Sequence, residues 1–71
     1  MDKNWIKVYE TALLHKAEIV KAVLSDHQIE AVILNRQSSS HISLNTGNDV
    51  EVYVQNTSVI EAKHLLAKHN L

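Results

Sequence analysis

Histidine is the side chain best suited to proton transfer or metal ligation near neutral pH, and this chain of 71 residues carries five of them. A metal centre needs several donors converging on one point. His15, His27, His64 and His69 fall in segments that read as helices, and His41 falls in a polar loop. His64 and His69 are five positions apart, which on a helix turns them about 140° away from each other. No His-x-x-x-His pair occurs, there is no cysteine, and no carboxylates converge at ligand spacing. The histidines therefore read as structural or solvent-facing, and neither a metal nor a cofactor is expected. Ser38, Ser39 and Ser40 precede His41, so a hydroxyl nucleophile and a base lie close in sequence. Nothing around them forms a nucleophile elbow, and serine clusters are ordinary turn composition. The same loop has one glycine and no lysine, which excludes a P-loop phosphate cradle. No catalytic residue is expected, and the chain reads as a non-enzyme.

The elements that would position any site are organised around Ala12 to His27. Leu13, Ala17, Val20 and Leu24 recur at steps of four, three and four. At about 100° per residue they make one stripe, widened by Ile19 and Val23. This predicts an amphipathic helix with Thr11 as its N-cap and an end near His27 or Gln28. Trp5–Glu10 reads as a strand, with Ile6 and Val8 alternating against Trp5, Lys7 and Tyr9. Glu30–Arg36 reads as a second strand around the apolar run Ala31–Leu34. Val50–Gln55 is a third, with Val50, Val52 and Val54 on one side and Glu51, Tyr53 and Gln55 on the other. A second helix follows, for which Ser58 and Glu61 form a capping box. Its inner stripe reads as Val59, Ala62, Leu66 and His69, with Leu65 beside them. Residues 1–4 are expected to fray. Residues 37–49 form a long loop in which Ile42 and Leu44 give a weak strand signal and Gly47 supplies a turn.

The order strand, helix, strand, strand, helix predicts one α+β domain over residues 1–71. It is a two-layer sandwich and a ferredoxin-like β-α-β-β-α unit lacking its last strand. A right-handed crossover joins the first two strands. The third strand inserts between them, antiparallel to both, and both helices lie on one face. If Ile6, Val8, Val32, Leu34 and the three valines face the helices, then Trp5, Tyr9, Ile33 and Tyr53 face away. Those four are the candidate interaction surface. The missing strand leaves the Trp5–Glu10 edge open for pairing.

Charge and composition weigh against several functions. The net charge is −1 and the isoelectric point is near 6.5, without the basic excess typical of nucleic-acid binders or of polybasic membrane anchors. No apolar run approaches the ~18 residues of a membrane span, and no signal-peptide core is evident. A cytoplasmic protein is expected. At this size the core supplies little margin, which favours self-association.

Several stretches carry a family resemblance: Val8-Tyr9-Glu10, the helix Ala17-Glu18-Ile19-Val20-Lys21-Ala22-Val23-Leu24, the strand start Ile29-Glu30-Ala31, Val50-Glu51-Val52-Tyr53-Val54, and Glu61-Ala62-Lys63-His64-Leu65-Leu66. From Lys7 to about Lys68 the chain resembles a bacterial domain-of-unknown-function family labelled prokaryotic signal-transducing proteins. The resemblance implies a ferredoxin-like fold related to the nitrogen-regulatory P-II proteins. Gln55-Asn56 stands where members often carry proline, and serines stand in a central loop that members fill with glycine or proline. The resemblance implies a signalling or regulatory role and brings no site residues. The combined expectation is a non-catalytic module that binds a protein partner or a small effector and self-associates through the open sheet face or the first-strand edge. The alternative is a weak single-stranded nucleic-acid binder that stacks bases on Trp5, Tyr9 and Tyr53.

Overall fold

A computed structural model describes residues 4–36 and 49–71. Its elements are β1 (Trp5–Thr11), α1 (Leu14–Asp26), β2 (Ala31–Asn35), β3 (Val50–Gln55), a 3₁₀ turn (Asn56–Ser58) and α2 (Val59–Lys68). The three strands form one sheet in the order β1-β3-β2. β3 is antiparallel to both neighbours, so β1 and β2 run parallel and are joined across the sheet by α1. This is the α+β fold expected from the order of elements. Of the terminal residues expected to fray, Asn4 is held: its carbonyl accepts the Asn56 N–H at 2.7 Å. At the other end Arg36 N–H donates to Asp49 C=O at 2.9 Å. The serine cluster, His41, the weak strand at Ile42–Leu44 and Gly47 lie outside the described residues.

The core lies between the sheet and the two helices. Val50, Val52 and Val54 are fully buried, as are Ala17, Val20 and Leu24 of α1 and Ala62 of α2. Leu65, Leu66, Ile29 and Ala31 complete the cluster. Burying a valine or leucine side chain is worth about 1.5–3 kcal/mol, so this valine strand against two helical stripes is the main favourable term in folding. The periodicities of two and 3.6 that foretold it are the periodicities that built it.

The helix ends depart from expectation in instructive ways. α1 begins at Leu14, two residues after the Ala12 start expected with Thr11 as the cap. Thr11 is the last residue of β1 and its Oγ accepts the Leu13 N–H at 3.2 Å. That bond stabilises a turn before the helix, and the N-cap position falls to Leu13 with an extended backbone and no side-chain cap. Leu13 is consequently 47% exposed and outside the core, as is Ile19. In α2, Ser58 sits at the N-cap with φ −111° and ψ 5° and makes no capping hydrogen bond. The preceding 3₁₀ turn holds its backbone away from the extended geometry that a capping box uses. His69 is the exposed C-cap of α2 and no part of its inner stripe.

Both helices stop without glycine. Gln28 and Asn70 adopt φ of 64° and 60°. In α1 the Ile29 N–H donates to Leu24 C=O and the Gln28 N–H to Ser25 C=O, both at 2.9 Å. In α2 Leu71 and Asn70 repeat this on Leu66 and Ala67. Each is a Schellman arrangement, which satisfies carbonyls that the helix leaves free and returns an apolar side chain to its last turn.

Candidate functional site: the helix-free sheet face

The register assigns every strand residue to a face, because directly paired residues of antiparallel strands point the same way. Val50, Val52 and Val54 face the helices. Their partners Thr11, Tyr9 and Ile6 on β1, and Asn35, Ile33 and Ala31 on β2, therefore share that side. The opposite face carries Trp5, Lys7 and Glu10 from β1, Val32 and Leu34 from β2, and Glu51, Tyr53 and Gln55 from β3.

Two of the four residues expected on the open face are thus on the other one. Tyr9 is turned inward by a bulge: the register shifts between Lys7 and Tyr9, leaving Val8 as an extra residue. One inserted residue reverses the phase of everything after it. Tyr9 packs against the core beside Val8, and Ile6, expected inside, is left partly exposed at the end of the strand. Ile33 also packs against the core, so Val32 and Leu34 take the outer face that was expected for Ile33. The run Ala31–Leu34 is apolar at every position and carries no alternation from which its phase could be read. Trp5 and Tyr53 lie where expected, as diagonal neighbours across the β1–β3 pair, since Trp5 opposes Gln55 and Lys7 opposes Tyr53. Both are half-buried.

The centre of this face is a charged network. Glu51 is 8% exposed. Tyr53 Oη donates to its Oε1 at 2.9 Å. Lys7 Nζ lies 3.6 Å from its Oε2, and an Arg36 guanidinium nitrogen lies 3.5 Å from its Oε1. Lys7 also donates to Glu10 at 3.0 Å. The Tyr53 hydrogen bond, helped by Arg36 and Lys7 and opposed by desolvation, holds the Glu51 carboxyl below the usual carboxylate range. The same bond, with desolvation, pushes the Tyr53 hydroxyl above the usual phenol range. Glu10 and then Glu51 raise Lys7 despite partial desolvation. The shifts of Glu51, Tyr53 and Lys7 all favour the charge states these groups carry at neutral pH, as ion pairing and hydrogen bonding within a structural cluster do.

The described histidines form no comparable centre. His15 and His64 are exposed on their helices. His27 and His69, the C-caps of the two helices, meet edge to face with ring centroids 6.5 Å apart. Their proximity was not visible in the sequence, where β2 and β3 lie between them. Among the described residues no group of three or more His, Cys, Asp or Glu could hold a metal ion. A shallow depression of about 300 Å³ runs along the β1 edge, lined by Lys7, Val8, Tyr9, Glu10 and Lys63.

A family model described as "Putative prokaryotic signal transducing protein" matches residues 5–70. The chain belongs to this family. The match spans every element from β1 to the end of α2 and includes the whole of the helix-free face. No curated protein sequence and no solved structure matches the chain significantly. The signal-transducing family thus supplies the broad role. Among the described residues no helix is long and apolar enough to cross a membrane.

Proposed function

We propose that the protein is a non-catalytic interaction module of prokaryotic signal transduction, acting in the cytoplasm and taking a protein partner on the helix-free face of its sheet. The observation that carries this reading is the placement of Trp5 and Tyr53 as diagonal neighbours on that face, half-buried and accompanied by Val32 and Leu34. Tryptophan and tyrosine are enriched in protein interfaces, and an uncovered sheet face with an apolar rim is a natural docking surface. The central carboxylate of Glu51 is already hydrogen-bonded and ion-paired within the chain. A partner could cover it without stranding an unpaired charge. A small effector on the same face is the lesser form of this reading.

A photo-crosslinking amino acid at Gln55, on the rim of the open face, tests it against the same probe at Ser25 on the outer surface of α1. In the native cytoplasm the probe at Gln55 gives discrete protein adducts, and Trp5→Ala with Tyr53→Ala reduces them at least several-fold. Equal labelling from both positions, or adducts indifferent to both substitutions, rejects the reading.

Nucleic acid is the second reading, favoured by the two aromatics sharing a face. Against it, the cations Lys7 and Arg36 already lie against Glu10 and Glu51, and phosphate attraction supplies most of such affinity. Salt-dependent binding of single-stranded oligonucleotides that Tyr53→Ala abolishes would replace the first reading with this one.

A further inference from the structure

The two edges of the sheet differ. β1 is interrupted by the bulge at Val8 and carries Lys7 and Glu10. Bulges and edge charges are devices that discourage further strand pairing. β2 pairs with β3 in unbroken register and carries no charged residue between Ala31 and Asn35. Among the described residues no strand lies on its outer side.

The backbone of β2 shows what that edge presents. Arg36 N–H points to β3, where it meets Asp49 C=O. Alternate residues of a strand turn their amide groups to opposite sides, so Val32 and Leu34 also turn theirs to β3, and Ile33 and Ala31 turn theirs to the outer side, where no strand lies among the described residues. Ile33 is the midpoint of the stretch Glu30-Ala31-Val32-Ile33-Leu34-Asn35-Arg36. Laid antiparallel on a copy of itself about Ile33, this stretch is self-complementary. Ile33 meets Ile33 with its amide groups in the hydrogen-bonding orientation, Val32 meets Leu34, and Glu30 meets Arg36 at both ends. Glu30 is exposed and takes part in none of the ion pairs among the described residues. A slip in either direction sets Glu30 or Arg36 opposite an uncharged residue and loses both charge pairs.

We infer that the β2 edge docks a second copy of this chain, strand to antiparallel strand about Ile33, to form a two-fold dimer with one continuous six-stranded sheet. The charge complementarity of Glu30 with Arg36 selects this occupant over an unrelated strand, because one sequence supplies both halves. Such an interface is isologous, as two-fold dimers require. It leaves Trp5 and Tyr53 uncovered, so it extends the reading above without depending on it.

Sedimentation equilibrium of the full chain from micromolar to millimolar concentration should show a monomer–dimer equilibrium. Glu30→Arg sets like charges opposite each other at both ends and should weaken it by roughly tenfold or more. Arg36→Glu should do the same. Mixing the two variants should restore association, because every end then pairs opposite charges. In the native chain the Ile33 amide should gain hydrogen-exchange protection as concentration rises, while Val32 and Leu34, already bonded to β3, change little. This readout needs no variant and stands even if Arg36→Glu, placed beside Glu51, fails to fold. A strict monomer, a dimer indifferent to Glu30→Arg, variants that do not rescue each other, or concentration-independent exchange at Ile33 overturns the inference. Failure here would leave the crosslinking from Gln55 to a foreign protein intact, so the two readings fall separately.

Discussion

Tyr53 and Glu51 stand two residues apart on the same face of β3, and the phenol donates a 2.9 Å hydrogen bond to a carboxylate that is almost out of solvent. The bond joins the aromatic and the charged parts of the helix-free face. It lowers the acidity of Tyr53 and raises that of Glu51, and both consequences can be measured.

Tyr53→Phe should cost about 1 kcal/mol at neutral pH, the usual net worth of such a bond. The sign of its pH dependence follows from linkage. Glu51 has its folded-state pKa below the usual carboxylate range. Its stabilising contribution is therefore complete above the unfolded-state pKa and is lost as pH falls through the lower, folded one. Without the Tyr53 hydroxyl the largest cause of the shift is gone, so the acid loss begins at higher pH. Urea unfolding at stepped pH should show the native and Tyr53→Phe curves converging in acid, with Glu51→Gln flattening that limb. Parallel curves would show that the bond does not form in solution.

On the alkaline side, Tyr53 ionises above the usual phenol range because of the Glu51 hydrogen bond and burial. Its contribution is present below the unfolded value and lost as pH rises through the folded one. In a Tyr9→Phe background only one tyrosine remains, and the pH midpoint of its phenolate absorbance should move lower on Glu51→Gln. An unmoved midpoint would contradict the assignment.

The bulge at Val8 makes Tyr9 a core-packing residue and leaves Trp5 on the open face. Tyr9→Ala should therefore destabilise by about 2 kcal/mol, below the 3–5 kcal/mol of a fully buried aromatic. Trp5→Ala should cost about half as much. Deleting Val8 should leave a folded protein, because Lys7 and Tyr9 then follow in regular alternation with every other pairing kept. If Trp5→Ala is the more damaging substitution, or the deletion abolishes cooperative unfolding, the register is wrong.

These residues also show what could be read from the chain. The layer arrangement was legible because Val50, Val52 and Val54 alternate with polar residues and Ala17, Val20 and Leu24 keep the helical step. The faces of β1 and β2 were not. The Val8 bulge is formed without glycine, so no residue type announces the phase change, and Ala31–Leu34 is apolar on both sides. Half of the aromatic and apolar site followed from β3 and the start of β1, and the other half was inverted. The Glu51 network was also missed. The signal available was a glutamate inside a valine strand two positions from a tyrosine, but Lys7 and Arg36 reach it only through the antiparallel register.

Helix termination was hidden for a related reason. Gln28 takes a left-handed backbone, φ 64°, which most residues avoid at a cost of roughly 1–2 kcal/mol. Gln28→Gly should stabilise the domain by about 0.5–1 kcal/mol, the relief being partly offset by glycine's freedom in the unfolded chain. Gln28→Val should destabilise by about 1 kcal/mol or more. Asn70→Gly should gain less, since asparagine tolerates this conformation better than glutamine. Equal thermal midpoints for the native chain, Gln28→Gly and Gln28→Val would mean that the Schellman turn of α1 is not populated.

The start of α1 offers the opposite case, a helix whose N-cap contributes nothing through its side chain. Leu13 has the extended backbone of a cap, φ −113° and ψ 118°, and its carbonyl accepts the Lys16 N–H at 3.1 Å. Its side chain can accept no hydrogen bond, and it is nearly half exposed. No acidic residue stands in the first turn of α1 to meet the positive end of the helix dipole. Leu13→Asp should supply an acceptor for the free amides of the first turn, worth about 1 kcal/mol, and a favourable charge worth about 0.3–1 kcal/mol. In a domain of this size 1 kcal/mol raises the thermal midpoint by about 4–8 °C. Leu13→Ala removes the same apolar surface without adding an acceptor, so it separates capping from lost packing. If Leu13→Asp melts no higher than Leu13→Ala, Leu13 is not the residue at which α1 begins.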